Sequence, residues 1–108
     1  MIPTFDFQPD GSFNPTPTCS TSVAVTTAVQ QLTLPASLVQ NGTMRLLVSG
    51  TAQIAWCYGA NNNLTMGNGL NMLANTVETF GIPTGVTQIS VIGASTGSTV
   101  YASVGVGS

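Results

Sequence analysis

Side chains able to carry acid–base, nucleophilic or metal chemistry are few in this chain. They are Asp6, Asp10, Glu78, Arg45, Cys19 and Cys57, with no histidine and no lysine. Without histidine, a serine or cysteine nucleophile must draw on one of three carboxylates as its base. A glycosidase pair needs two carboxylates on rigid elements about 5–9.5 Å apart, and Asp6 and Asp10 sit in a proline-rich segment unsuited to holding them. Asp6 and Asp10 with Asn14 imitate a calcium-loop spacing only loosely, and two solvated acids account for them better. Gly67 and Gly69, like Gly105 and Gly107, neither lead into a helix nor lie near a lysine, so neither pair makes a phosphate loop. The expectation is a protein that is not an enzyme, with no cofactor and no metal.

Binding chemistry is narrowed in the same way. Arg45 is the sole basic side chain, and neutralising phosphates needs a basic patch, so nucleic acid is not an expected partner. The longest apolar runs are short, as at Leu46, Leu47 and Val48, whereas a spanning helix needs about 20 predominantly apolar residues. No membrane partner is expected, and no basic stretch followed by an apolar one opens the chain as a signal peptide would. A glycan site has more substance: Trp56 and Tyr58 share a strand face, and Asn61, Asn62 and Asn63 follow with amide donors. Against it stands the usual fate of large alternating aromatics, which is to anchor a core, and that explanation carries more weight. Cys19 and Cys57 would either form one disulfide or sit as two small buried apolar side chains, the second being preferred. The triplets beginning at Asn41 and Asn63 match the glycosylation pattern, as expected by chance in a chain rich in Asn and Thr.

The elements that must position these residues are strands. In 108 residues only 4% are charged, against about 25% in an ordinary soluble domain, while 43% are hydrophobic. That apolar share is enough to offset ordering entropy, and a chain of this size buries about 65% of its surface on folding. Residues 1–18 read as an extended arm, with Pro3, Pro9, Pro15 and Pro17 set among Phe5, Phe7 and Phe13. Three phenylalanines are costly to leave in water, so they are candidate partner-binding residues.

From residue 19 to 108 the period is two. Val23 with Val25, then Leu32 with Leu34 before Pro35, then Met44, Leu46 and Val48 each share a face; the last set alternates with Arg45, Leu47 and Ser49, placing Arg45 on the far face from it. Ile54, Trp56 and Tyr58 form the most aromatic strand, a short strand is expected within residues 70–73, and Ile89 with Val91 and residues 100–106 complete the series. Around Glu78 the parity changes, which implies either a bulge or an exposed strand start. No window has a helical period. Turns recur about every 8–12 residues, which predicts an all-β antiparallel β-sandwich of seven or eight strands, with a small jelly roll as its specific form.

The C-terminal half also resembles a known group. Residues 77–85 (Val-Glu-Thr-Phe-Gly-Ile-Pro-Thr-Gly), 87–92 (Thr-Gln-Ile-Ser-Val-Ile) and 97–107 (Gly-Ser-Thr-Val-Tyr-Ala-Ser-Val-Gly-Val-Gly) resemble small β-rich virion proteins of tailed bacteriophages, of the capsid decoration, cement or fibre type. The likeness spans residues 20–108 and is one of strand and turn texture, so it transfers no functional residues. It implies a structural protein made in the bacterial host cytoplasm and located on the virion. There it would bind the outer capsid surface, with the major capsid protein and copies of itself, as dimer or trimer, for partners. The alternative it implies is a receptor- or glycan-binding module of a head or tail fibre, using Trp56, Tyr58, Asn61 and Asn62.

Overall fold

The computed structural model describes residues 14–35 and 42–106, and among them it contains eight strands and no helix. The strands are β1 (Asn14–Val25), β2 (Gln30–Thr33), β3 (Thr43–Gly50), β4 (Ile54–Tyr58), β5 (Leu70–Met72), β6 (Thr76–Gly81), β7 (Gln88–Gly93) and β8 (Ser98–Val106). β1 pairs with β8, β2 with β7, β3 with β6 and β4 with β5, all antiparallel. The chain is thus one long hairpin whose tip is the β4–β5 connection. Rolling that hairpin adds the β3–β8 and β4–β7 ladders and closes two four-stranded sheets, β1-β8-β3-β6 and β2-β7-β4-β5. An eight-stranded antiparallel double sheet wound in this way is a jelly roll. Every link between consecutive strands except β4–β5 passes from one sheet to the other.

Alternation sorts the side chains. Along β3, Met44, Leu46 and Val48 are fully buried while Arg45, Leu47 and Ser49 face outward. Val100, Ala102 and Val104 of β8 lie beside them, and Ile54, Trp56, Ile89 and Val91 from the second sheet close the core from the other side. A strand with one face on a core and one in water must show this pattern.

β1 is an edge strand spanning Asn14–Val25, so residues 14–18 of the segment expected as an arm fall within it, and Asn14 and Pro15 pair with Val106 and Gly105 of β8. Proline lacks the N–H of a ladder and is tolerated at an edge; the register shifts between Pro15 and Ser20. Phe5, Phe7 and Phe13 lie outside the described residues. At the other edge β6 keeps an unbroken register with β3, so the parity change near Glu78 is not a bulge. Glu78 is mid-strand and exposed because β6 has no neighbour on its far side.

One corner ties three connections together. Ser98 is buried, and its Oγ accepts from the Ala52 amide at 2.8 Å and donates to the Ala52 carbonyl at 2.7 Å. Asn75, at φ 61°, accepts from the Gly50 amide (3.1 Å) through Oδ1 and donates to the Gly50 carbonyl (3.0 Å) through Nδ2. A single side-chain amide thereby satisfies both polar groups of Gly50 at the point where β3 leaves its sheet.

Candidate functional site

The candidate glycan platform starts from β4, where the period of two puts Ile54, Trp56 and Tyr58 on the inner face. Trp56 is 2% exposed, with its ring edge-on to Tyr58 (centroids 4.9 Å apart, planes at 90°) and to Phe80 (4.8 Å, 69°). A stacking platform must offer one open aromatic face. Trp56 has none and sits as a core anchor joining β4 to β6, the reading preferred from the sequence over the platform. Tyr58 is half-buried, and its hydroxyl donates to the Gly81 carbonyl, linking the second sheet to the edge of the first.

Burial pushes the Tyr58 phenol above its ordinary value of 10.0, because desolvation disfavours the phenolate. A raised folded-state value means that the folded protein holds its proton where the unfolded chain loses it. The associated stability is fully present below about pH 10 and is lost as pH rises through the folded value. Wild type is therefore expected to melt progressively lower above about pH 10, and Tyr58→Phe to show a flatter alkaline limb. The same substitution costs about 1 kcal/mol at neutral pH through the lost hydrogen bond. Thermal melts from neutral to alkaline pH check both, and parallel limbs in the two proteins would reject the assignment.

The asparagines beyond β4 are turned to structural use. Asn61 accepts from the Asn63 amide through Oδ1 (2.9 Å) and donates through Nδ2 to Cys57 Sγ (3.8 Å). Asn62 accepts from Gln31 Nε2 (3.1 Å). Ser90, fully buried on β7, accepts from the Asn61 amide and donates to the Gly59 carbonyl, each at 2.8 Å. Asn68 bridges the Thr65 amide (2.7 Å) and the Asn63 carbonyl (3.1 Å). The short polar side chains of Asn favour such local turns. Their result is a loop over residues 59–69 that seats Leu64 and covers Ala55 on the outer face of the second sheet. Gly69 fits only because it lacks a Cβ, which would lie 2.7 Å from Leu64 Cδ1. Cys57 is a free, half-buried thiol, and the Cys19 side chain, the other partner of the disulfide alternative, lies outside what is described. Among the described residues no three His, Cys, Asp or Glu side chains gather.

The outer face of the first sheet is different. Leu47, Tyr101 and Val77 are 41%, 40% and 45% exposed, and the register sets them side by side: Ser22 opposite Tyr101, Tyr101 opposite Leu47, Leu47 opposite Val77. The rows on either side are Ser20, Ser103, Arg45 and Thr79, and Ala24, Thr99 and Ser49. Sequence reasoning put Leu47 opposite the core set without singling it out. Its signal was an apolar residue at an outward position of β3, but the row itself depends on which strands are neighbours.

Comparison with protein-family models, with curated proteins and with solved structures finds no match to this chain.

Proposed function

We propose that this protein is a structural component of a tailed-bacteriophage virion, binding the outer capsid surface as a decoration or cement protein that stabilises the shell. The observation that supports it best is a jelly-roll body almost without charge on its outside. Of the four charged residues, Asp6 and Asp10 precede β1, and only Arg45 and Glu78 belong to the strands. A weakly charged surface of Ser, Thr, Asn and small apolar residues does little to keep free molecules apart. It suits lasting, close packing in an assembly. The first 13 residues, with Phe5, Phe7 and Phe13, supply the apolar anchors for the capsid.

The test is to add purified protein to capsids lacking it and to measure binding and the heat stability of the shell. Binding should change by less than about twofold between low salt and 1 M salt, since the Debye length shrinks to about 3 Å without an ionic contact to weaken. Substituting Phe5, Phe7 and Phe13 by serine should weaken capsid binding by about tenfold or more and leave the melting temperature of the free protein unchanged. Capsids that neither bind the protein nor gain heat resistance from it would reject the reading.

A further inference from the structure

The two outer faces of the sandwich are finished unequally. The second sheet is covered in part by its own loop over residues 59–69, with Leu64 buried on it, while Leu70 and Leu73 at its β5 edge are 49% and 64% exposed. The first sheet carries no covering segment among the described residues and presents Tyr101, Leu47 and Val77 as one apolar row between polar rows. An apolar strip with a polar rim on each side is the anatomy of a protein contact. We infer that this face is the contact between two copies of the chain, packed sheet on sheet about a twofold axis lying along the row Ser22, Tyr101, Leu47 and Val77.

Area and charge select this occupant and this axis. Four strands at about 4.8 Å and eight residues at about 3.3 Å give a face of about 500 Å² per copy, so a symmetric pair buries about 1,000 Å², the lower limit for a specific contact. The contact must therefore use the whole face, and the dimer is a reversible one in the micromolar range. Symmetry makes the apolar row its own complement: Leu47 meets the second copy's Leu47, and the same holds for Tyr101 and Val77. Among the described residues Arg45 is the single charge on the face, two residues along β3 from Leu47. A twofold along the row sends the two guanidinium groups to opposite sides, about 13 Å apart, each above the hydroxyls of Ser49 and Thr99 in the other copy. A twofold along the strands instead brings them to within about 5 Å laterally, where like charges oppose packing. The strands of the two stacked sheets then run nearly aligned, a preferred arrangement for sheets in face contact.

Sedimentation equilibrium of the full chain across the micromolar range tests this. A monomer–dimer equilibrium is expected. Leu47→Lys should weaken it by about 30-fold or more, the effect of losing a central anchor, and leave the melting curve of the monomer unchanged because Leu47 points to solvent. Arg45→Ala should alter the dissociation constant by less than about threefold. Serine at Phe5, Phe7 and Phe13 together should leave the dimer intact. A wild type that stays monomeric or forms a trimer, or a dimer indifferent to Leu47→Lys, would overturn the inference. So would a dimer tightened by Arg45→Ala, or one lost with the three phenylalanines, which would assign the face to residues 1–13. The inference does not rest on the virion role: a chain that dimerises and does not bind capsids sinks that role alone.

Discussion

Gly50→Ala is expected to lower the stability of the fold by about 3–5 kcal/mol, through left-handed backbone strain together with overpacking. In a domain of this size that is a fall of about 15 °C or more in melting temperature. Gly50 has φ +137°, and a Cβ built on it lies 2.1 Å from the Gly97 carbonyl oxygen and 2.7 Å from Ser98 Cα. Both obstacles are backbone, so no rotamer change relieves them. They are also held in place, since the Thr51 amide donates to that same Gly97 carbonyl (3.3 Å) and Asn75 clamps the Gly50 peptide. Gly59 provides the control: its φ is +81°, yet nothing lies within 4 Å of the Cβ position. Gly59→Ala should cost only the conformational strain, about 1–2 kcal/mol. Chemical denaturation of both variants separates the two causes. Equal losses would show that the close approach at the β3 corner does not matter.

Trp56→Ala is expected to cost about 3–5 kcal/mol, from lost transfer energy and the cavity left behind, with the two edge-on ring contacts adding to the loss. Against a total stability of about 5–15 kcal/mol for a small domain, this leaves the fold marginal. Trp56→Phe is a sharper probe. Trp56 Nε1 is buried with no hydrogen-bond partner among the described residues, and a buried unpaired donor costs about 1–3 kcal/mol. Phenylalanine loses volume and also removes that donor, so its net cost should stay below about 1.5 kcal/mol. Urea titration of the three proteins checks the order. If Trp56→Ala kept full stability and lost only glycan binding, the core assignment would be wrong and the fibre-type reading would return.

Most strands were legible because their signal is local. Met44, Leu46 and Val48, or Val100, Ala102 and Val104, declare their inner face by alternation alone, and Pro35, Gly50 and Gly59 mark where strands end. The start of β1 was not legible, since Pro15 and Pro17 argue against a strand unless it is known to lie on an edge. The parity change at Glu78 was visible but ambiguous for the same reason: only its place on the outermost strand explains why a carboxylate on the Leu46 side of the sheet stays in water. For the candidate glycan site the residues were found and their orientation was not. Asn61 and Asn62 read as free donors in the sequence; in the fold Asn61 donates to Cys57 Sγ and accepts from the Asn63 amide, and Asn62 accepts from Gln31 through Oδ1.

By itself, then, the sequence determined an all-β chain poor in charge, with its core faces set by a two-residue period and no side-chain inventory for histidine- or lysine-based chemistry. The tertiary structure decided which faces remain open. Alternation says only that Leu47, Val77 and Tyr101 each turn away from a core. That they form one row depends on β8, β3 and β6 being neighbours, although these strands are far apart in sequence. Likewise, only the return of the loop over residues 59–69 covers part of the second sheet, and among the described residues no segment does so for the first. Side-chain period is a property of adjacent residues, whereas exposure is a property of the whole packed chain, and binding follows exposure.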